Sequence, residues 1–389
     1  MMLHELTLRG VLSFGPESPP LAMRPLNVLI GPNGSGKSNL VEAIGLLRSA
    51  ATKLTAPIRR AGGRAKEWIW KGAKNGHARV DAVIDHPHGP QPLRHRLEFT
   101  EAASRFELVD EAIENRDPDP GHDEPSFFYR FHEGRPELAV RGGGTRRLSR
   151  EDVAPDESIL SQRKDPDQYP ELAYLAAMYG KVRLYREWSF GSSSVFRSPQ
   201  SADLPSDRLE EDFSNLGLFL NHLRSMPKVK NSILERLRDL YEGLDDFDVR
   251  IKGGTVEVFL TEGDFIIPAS RLSDGTLRYL CLLAILCDPD PPPLVCIEEP
   301  ELGLHPDMLP KIADLLAAAS ERTQLVVTTH SDLLVDAMTE RPEAVVVVEK
   351  HNGQTHMKRL EEDAELRHWL DKYRLGQLWT RGEIGGTRW

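Results

Sequence analysis

The chain has 389 residues, of which 40% are hydrophobic and 28% are charged, and its net charge is −11 at pH 7. This composition is ordinary for a soluble globular protein of one large domain or two lobes, and it argues against a surface that is positive throughout. The longest strongly apolar stretch, Tyr279–Cys287, is far shorter than the roughly 20 residues that a membrane span needs. The first residues lack the pattern of a signal peptide, so we expect a cytoplasmic protein without a membrane partner.

The first third of the chain predicts strands around one helix. Leu3–Gly10 alternates apolar and polar residues, Leu26–Ile30 has the pattern of a short buried strand, and a helix is predicted from Lys37 to about Ala50. Further strands of antiparallel type are predicted at Ala78–Asp85, Leu93–Phe99 and Phe127–His132. The segment Asn115–Pro125, rich in Asp and Pro, predicts a mobile loop between them.

The middle of the chain, from about Glu151 to Gly243, is predicted to be mostly helical. Helices are expected at Leu209–Leu223 and Asn231–Tyr241, and a strand at Lys181–Tyr185. A hairpin is expected at Asp248–Leu260, turning on Gly253-Gly254.

The last third alternates helices and strands, which predicts a parallel α/β sheet. The helices are predicted at Thr276–Cys287, Met308–Ala319 and Asp332–Met338, and the strands at Leu294–Ile297, Gln324–Thr328 and Ala344–Glu349. We expect four segments in all, at 1–150, 151–270, 271–350 and 351–389.

Residues 31–38 match the phosphate-loop pattern G-x-x-x-x-G-K-[ST] without a mismatch, after a predicted strand and before a helix. Glycines let backbone N–H groups curl around a phosphate, and the helix start adds partial positive charge. Lys37 would reach the β- and γ-phosphates, and Ser38 would hold Mg²⁺. The candidate nucleotide-binding residues are Gly31, Pro32, Asn33, Gly34, Ser35, Gly36, Lys37, Ser38 and Asn39.

The predicted strand Leu294–Ile297 ends in two acids, Glu298 and Glu299. A strand buried on both faces has no structural reason to end in paired carboxylates unless a cation or proton chemistry is nearby. In a phosphate-loop ATPase the first acid helps to hold Mg²⁺ and the second polarises the attacking water. This assigns Glu298 to the metal and Glu299 to the base.

Two weaker signals lie on either side of the acidic pair. The segment Leu272, Ser273, Asp274, Gly275 opens the predicted helix before it, where a serine is either a helix cap or a phosphate-binding group. His330 ends the strand that follows, in Thr328-Thr329-His330-Ser331. Alone, each residue type in such a place is more often structural.

Taken in chain order, these segments resemble the Walker A, signature, Walker B, D-loop and switch-histidine motifs of ABC-type ATPases. The segment GPNGSGKSNLVEAI, together with the strand-and-loop start Leu6–Phe14, resembles SMC and RecF proteins. The segment IEEPELGLHP resembles OLD-type (overcoming lysogenization defect) ATPases. The resemblance implies an α/β P-loop NTPase fold, with the mixed β-sheet of an ABC-ATPase head, an antiparallel β part and a helical lobe.

The resemblance also implies roles for individual residues, with ATP and Mg²⁺ as cofactors. Ser273 and Gly275 would contact the γ-phosphate of ATP bound to a second copy of the chain, in a head-to-tail dimer. Pro300–His305 would be the D-loop crossing that interface, and His330 would sense the γ-phosphate.

The sequence departs from the family pattern in three places. Glu298 stands where aspartate is usual, and Asp274-Gly275-Thr276 replaces the Gly-Gly-Gln of transporter-type signatures. The glutamine loop that contacts the metal is not obvious, and Gln162 is the candidate.

The function implied by the resemblance is an ATP-gated clamp coupled to DNA, in repair or in defence against phage, with a separate nuclease or effector as a possible partner. Only 40 residues follow Glu349, with no later strand ending in an Asp-x-Asp pair, so we expect the chain itself not to cut DNA. The alternatives are a protein scaffold timed by slow ATP turnover and the energising subunit of a transporter. The long stretch between Ser38 and Leu272 disfavours the transporter, and a P-loop kinase does not account for the signature and switch motifs.

Three compositional features remain. Lys53–Arg79 contains eight basic residues and one acid, with Trp68 and Trp70 among them, so it is either a solvated face or a phosphate-contact surface; Glu107–Glu124 is correspondingly acidic. The tail Leu366–Trp389 is rich in aromatic residues and forms either a packed helix or a docking segment. Three cysteines without metal-ligand spacing predict buried thiols in a reducing compartment.

Overall fold

A computed structural model describes residues 1–60, 63–73, 76–132, 134–188, 190–191, 194–361 and 364–386. Within these ranges the strands are β1 (Leu3–Arg9), β2 (Leu21–Ala22), β3 (Leu26–Ile30), β4 (His77–Ile84), β5 (Leu93–Ala102), β6 (Arg105–Asn115), β7 (Phe127–His132), β8 (Arg135–Ala139), β9 (Thr145–Arg147), β10 (Arg183–Tyr185), β11 (Gln200–Ser201), β12 (Asp246–Lys252), β13 (Thr255–Glu262), β14 (Phe265–Pro268), β15 (Leu294–Glu298), β16 (Gln324–Thr328), β17 (Val345–His351) and β18 (Gln354–Arg359).

The α-helices of the same ranges are α1 (Lys37–Ala50), α2 (Ala56–Arg60), α3 (Ala65–Trp68), α4 (Ile159–Gln162), α5 (Pro170–Lys181), α6 (Leu216–Arg224), α7 (Pro227–Leu240), α8 (Asp274–Leu286), α9 (Leu309–Ser320), α10 (Asp332–Asp336), α11 (Ala364–Leu370) and α12 (Leu375–Thr380). Lys74 of the basic stretch and Trp389 of the aromatic tail lie outside the described residues.

The described chain divides into two compact units. The first comprises Met1–Val182, Glu343–Asp363 and Trp379–Trp389, and the second comprises Arg183–Pro342 and Ala364–Leu378. Each unit therefore gathers segments that are distant in sequence. The segment after β16 returns to the first unit, where it supplies β17 and β18.

The first unit contains an antiparallel sheet in the order β2-β1-β4-β5-β6-β7-β8-β9. The sequence predicts β4, β5 and β7, but it does not predict β6, whose acids hide the alternation of a strand. Those acids pair across the strands with basic residues of β5: Arg96 Nε lies 3.3 Å from Asp110, and Arg94 Nη1 lies 3.6 Å from Glu114. Opposite charges on neighbouring strands stabilise such a pairing, so the acidic run is in part a strand of the sheet.

A buried polar cluster ties the helices of the first unit to this sheet. Glu111 and His95 are fully buried, and their side chains lie 3.2 Å apart. Glu111 also accepts hydrogen bonds from the Ser158 hydroxyl and, at 3.0 Å, from the Ile159 N–H at the start of α4. His95 Nδ1 is 3.0 Å from the Tyr179 hydroxyl on α5. Because the members of this cluster satisfy one another's hydrogen bonds, the Glu111 carboxyl group can be buried without a large penalty.

Beside this sheet the first unit holds a second group of strands. Strand β3 runs parallel to β17, and β17 pairs with β18 in an antiparallel hairpin. Every residue of β3 is buried, as predicted for a short buried strand, including its one polar residue, Asn27. Helix α1 follows β3 and buries Leu40, Ala43, Ile44 and Leu47.

The second unit contains the parallel strands β10-β15-β16 and a small sheet formed by β11 to β14. Strands β15 and β16 and the hairpin of β12 and β13 confirm the sequence predictions. The predicted helix Leu209–Leu223 begins only at Leu216, because Phe213 has a left-handed φ of 58° that a helix cannot contain. Asn215 organises the loop before it by donating to the carbonyls of Pro205 and Arg208.

The aromatic tail is packed rather than extended in its described part. Leu375 and Leu378 are fully buried, and the Leu375 N–H donates to Thr339 at 3.1 Å. Trp379 is buried and its Nε1 donates to the Gly386 carbonyl at 2.9 Å. The packed-helix alternative therefore describes this segment.

Cys281 and Cys296 are buried, and Cys287 is partly exposed. Burial raises the pKa of the Cys281 and Cys287 thiols above the ordinary range. Among the described residues no helix combines the length and the apolar character needed to cross a bilayer.

Candidate nucleotide-binding and hydrolysis site

The phosphate-loop residues 31–39 fold as a turn between β3 and α1 in the first unit. Gly31, Gly34 and Gly36 all have positive φ. A Cβ on Gly31 would lie 2.1 Å from the carbonyl oxygen of Val348, so no larger residue fits there. The loop is thus a close-packed, glycine-rich turn, the type of backbone whose N–H groups bind phosphate.

Lys37 is buried at the first position of α1, and its ammonium group closes the loop. Its Nζ donates to the carbonyls of Gly31 at 2.6 Å and Pro32 at 3.2 Å. Ser38, the next residue, is exposed at the helix start, and the buried Ser35 hydroxyl has no hydrogen-bond partner within the described chain. A lysine, two hydroxyls and a helix N-terminus therefore surround one turn of backbone, which suits a polyphosphate.

Two hydroxyl groups brace this loop: Ser13, from the start segment Leu6–Phe14, and Thr355, from a segment that sequence reasoning did not single out. Thr355 Oγ1, at the start of β18, donates to the Ser35 carbonyl at 2.6 Å and lies 2.6 Å from Ser13 Oγ. Asn39 Nδ2 donates to the same Ser13 hydroxyl at 2.6 Å. A Cβ on Gly36 would lie 2.2 Å from Thr355 Oγ1, so the glycine and the threonine depend on each other.

In the second unit, β15 ends at Glu298 as predicted. Glu298 Oε2 lies 3.3 Å from Arg186 Nε, whereas Oε1 is buried and has no hydrogen-bond partner in the described part of the chain. Buried carboxylate oxygens are nearly always paired, so this orphan oxygen needs an explanation. Mg²⁺ takes carboxylate and hydroxyl oxygens as ligands, and Glu298 and Ser38 offer that chemistry.

The next residue, Glu299, has a left-handed φ of 47°, which is uncommon outside glycine. Its N–H donates to the Thr328 carbonyl at 2.9 Å, and its own carbonyl accepts from Arg278 Nη2 at 2.9 Å. Such backbone strain persists where the surroundings hold it, and it is frequent at functional sites. The contacts on both sides of Glu299 hold its side chain at the strand end.

Arg278 belongs to α8, the helix of the signature segment, and it is itself held by aromatic rings. Its guanidinium lies over the Trp188 ring at 4.6 Å, and burial lowers its pKa to about 10. Trp188 in turn donates from Nε1 to the Glu298 carbonyl at 2.8 Å. One stacked pair therefore fixes the backbone carbonyls of both acids.

His330 lies beside the acidic pair, where the sequence places it. Its Nε2 is 3.7 Å from Glu299 Oε1, and both side chains are about one-third exposed, at 34% and 37%. The His330 N–H donates to Glu301 Oε1 at 2.9 Å, and the Thr329 hydroxyl donates to the same oxygen at 2.7 Å. Glu301 thus ties the segment of the switch histidine to the candidate D-loop.

The signature segment forms a capped helix start. Ser273 accepts a hydrogen bond from the Thr276 N–H at 3.0 Å, so the capping interpretation is correct for the serine in this state. Asp274 pairs with Arg197, and Arg197 also donates to the Leu272 carbonyl at 2.7 Å. A Cβ on Gly275 would lie 2.9 Å from the Gly303 carbonyl, so the helix start and the candidate D-loop are in close contact.

Gln162 has no contact that supports the metal-binding role predicted for it. Its Oε1 accepts from the Ala154 N–H at 3.0 Å, and its Nε2 donates to the carbonyls of Glu157 and Ser158. Both ends of the amide therefore stabilise the turn before α4. The metal role remains a prediction from the resemblance alone.

The structure thus brings the predicted residues together in two groups, residues 31–39 in the first unit and Leu272–Gly275, Glu298, Glu299 and His330 in the second. Sequence reasoning missed four residues that hold these groups in place, which are Thr355, Arg186, Trp188 and Arg278. Ser13 and Glu301 lie within the segments Leu6–Phe14 and Pro300–His305 that the resemblance singled out, but neither was given a role in holding the site. Their side chains are of ordinary types, and they act on partners distant in sequence, so only the ordered set of motifs could have indicated where to look.

Comparison with known proteins agrees with these motifs. Residues 26–336 match a family described as "AAA domain, putative AbiEii toxin, Type IV TA system". The chain is 24% identical over 185 residues to the Old nuclease of Escherichia phage P2, an alignment that covers 41% of this chain and 31% of that protein. It is 36% identical over 112 residues to the DNA replication and repair protein RecF of Magnetococcus marinus, covering 27% of this chain and 24% of that protein. The chain thus spans under a third of the length of the curated relatives it matches.

A solved Smc head, crystallised with the C-terminal winged-helix domain of ScpA, has the same fold. The TM-score is 0.60 at 15% identity, and the match covers 93% of this chain and 99% of the Smc head. The expected class, an ABC-ATPase head with a mixed α/β fold and an antiparallel part, is therefore confirmed. The chain belongs to the AAA-domain family that matches residues 26–336, and it is similar to SMC, RecF and OLD-type proteins.

Proposed function

We propose that this chain binds and hydrolyses ATP with Mg²⁺, in an active site completed by a second copy of the chain. The observation that carries the proposal is the end of β15, where Glu298 has an orphan buried oxygen and Glu299 stands in a strained conformation beside His330. A site that only stored nucleotide with Mg²⁺ would use Glu298 but would not need Glu299.

In the proposed cycle the residues 31–36 bind the phosphates through their N–H groups, and Lys37 balances the charge of the β- and γ-phosphates. Ser38 and Glu298 would hold Mg²⁺, which supplies charge neutralisation at the phosphates when it is bound. Glu299 accepts a proton from the attacking water as general base. His330 contacts the γ-phosphate and reports its loss.

The head-to-tail arrangement rests on the signature segment. Ser273 and Gly275 stand at the start of α8, where N–H groups and a hydroxyl can meet a phosphate. We propose that Ser273 and Gly275 contact the γ-phosphate of ATP held by the other copy, so that ATP closes the dimer and hydrolysis opens it.

We further propose that the clamp acts on DNA, in repair or in defence against phage, in the cytoplasm. The basic stretch supports a backbone contact, because Arg59, Arg60, Arg64 and Lys66 are all exposed. A separate nuclease or other effector would carry out any cleavage. A scaffold that ATP times without DNA is the alternative, and turnover that duplex DNA does not stimulate would favour it.

A mixing experiment tests the shared site. Ser273→Arg should block the approach to the neighbouring γ-phosphate but leave its own phosphate loop intact, whereas Lys37→Ala should lose its own nucleotide. A heterodimer of the two places both lesions at one composite site, so partial ATP turnover should return from two inactive parents. Two results together would exclude the shared site. The mixture would stay inactive although exchange into heterodimers is demonstrated, and wild-type monomers would hydrolyse ATP at the full rate.

A further inference from the structure

The first unit contains a cavity of about 590 Å³ that shares no described lining residue with the phosphate loop. Its walls come from described residues within 55–59, 63–65, 102–108, 129–131 and 153–156. Two basic residues of the lining, Arg59 and Arg64, belong to the basic stretch. The volume is in the range of small-molecule sites, which is about 300–1,000 Å³.

The most buried part of the cavity lining, which we call its floor, includes aromatic residues. Tyr129 is fully buried, and Phe106 and Phe131 are 9% and 8% exposed. Phe106 is already fixed by stacking on Phe99, with ring centroids 5.0 Å apart. Rigid rings form a platform on which a planar ligand can stack.

Two polar groups in the lining have no partner within the described chain. They are the Tyr129 hydroxyl and the Thr55 hydroxyl, on residues that are 0% and 2% exposed. Buried hydroxyls are normally hydrogen-bonded, and leaving one unpaired is unfavourable. A ligand with a polar edge, such as a nucleobase, would supply partners that the protein itself does not.

The rim of the cavity carries charge of both signs. The acids are Asp156, which lies 3.9 Å from Arg59, and Glu107. Arg64 and Arg105 are exposed, and among the described residues neither has a carboxylate within ion-pair distance. An unpaired guanidinium is the side chain best suited to bind a phosphate in two-point fashion.

We propose that this cavity is a second nucleotide site, with the base on the aromatic floor and the phosphate at Arg64 and Arg105. The nucleotide is either a free mononucleotide or an unpaired nucleotide of a DNA strand. The inference goes beyond the ATPase cycle, and in its strand form it rests on the proposed DNA contact. It changes the meaning of the basic stretch, whose arginines would bind around one inserted base as well as along a backbone.

The test measures binding by the full-length chain with three probes, a panel of nucleoside monophosphates, a duplex with a single-stranded overhang and a blunt duplex. Arg64→Glu/Arg105→Glu should weaken binding about tenfold or more, the loss expected for charge-assisted contacts. The matched control, Arg141→Glu/Arg146→Glu, makes the same change of charge at exposed residues that lie outside both the cavity lining and the basic stretch, and it should bind nearly as wild type does.

The outcomes distinguish a free nucleotide from a nucleotide of a DNA strand, and they separate failure of this proposal from failure of the proposed ATPase. Binding of monophosphates identifies a free nucleotide, and binding of the overhang alone identifies a strand. Binding should survive Lys37→Ala, so a failed ATPase leaves this result standing. Equal losses in the two double variants, or no binding of any probe by the wild type, would overturn the proposal.

A subtler variant tests the floor. Tyr129→Phe removes only the orphan hydroxyl, so the folded protein should be at least as stable in thermal unfolding while affinity falls several-fold. Wild-type affinity in this variant would contradict the seating of the base on the floor.

Discussion

The phosphate loop and the end of β15 both hold backbone that most residues avoid, but they do so by different means. In the loop, glycines adopt positive φ and the hydroxyls of Ser13 and Thr355 fill the space behind them. At the end of β15 the residue with the left-handed backbone is Glu299. Its carboxylate is needed there, so this position holds a strained glutamate and not a glycine. Arg278, stacked on Trp188, then supplies the restraint.

The difference teaches how each region divides the work. A cradle of backbone N–H groups binds a charge that is present throughout the cycle, so its defects should appear as lost affinity. A strained carboxylate acts on a charge that develops only during reaction, so its defects should appear as lost turnover. Four substitutions test that division.

Lys37→Ala should have the largest effect, because it removes the only cation of the loop. Nucleotide binding measured by calorimetry should disappear. Lys53→Ala, which removes an exposed lysine of the same unit, serves as the control and should bind as wild type does. Tight ATP binding by Lys37→Ala would sink the assignment of the loop.

Glu299→Gln should lower ATP turnover by about 10² to 10⁴, because the amide keeps the shape but cannot take a proton. Affinity for ATP should survive, and a nucleotide-held dimer should accumulate in gel filtration. The control is Glu321→Gln, an exposed acid of the same unit. A parallel loss of affinity would erase the contrast between the two regions.

Arg278→Met should lower kcat by about one to two orders of magnitude, the size expected from losing a buried charged hydrogen bond worth about 1.5–3 kcal/mol. The ATP dissociation constant should stay the same, since the phosphate loop is untouched. Arg278→Lys keeps the charge but loses the planar stack on Trp188, so it should recover only part of the rate. An unchanged kcat with raised KM would assign Arg278 to binding instead.

Ser13→Ala should have the smallest effect, and it should change the affinity for ATP rather than kcat. Loss of one bracing hydrogen bond, worth about 0.5–1.5 kcal/mol, should raise the dissociation constant for ATP two- to tenfold or so and leave kcat alone. Thr355→Val should do the same, whereas Thr355→Ser keeps the hydroxyl and should behave as wild type. A fall in kcat without a change in affinity would reverse the comparison.

The sequence predicted the parts of the site that are local. The loop 31–38 and the strand of Glu298 follow from patterns of eight and six neighbouring residues, and the structure has both where they were expected. The left-handed Glu299 could not be foreseen, since the contacts that hold it come from Arg278 and Thr328.

The same reason explains the remaining misses. Thr355 braces Ser35 across 320 residues of sequence, a pairing that no local pattern encodes. Strand β6 escaped prediction because the partners of its acids, Arg94 and Arg96, lie on another strand. Local sequence patterns thus indicate which ligand a segment binds, whereas the contacts that hold the segment in place depend on the tertiary fold.

The buried cysteines have a practical consequence for labelling chemistry. Thiolate is the species that attacks maleimides, and burial of Cys281, with its raised pKa, makes it scarce. Leu302 of the candidate D-loop is 49% exposed, so a cysteine introduced there should react first by a wide margin. With the partly exposed Cys287 replaced by alanine, a dye pair attached through Leu302→Cys would let fluorescence energy transfer test in real time whether two copies open and close as proposed.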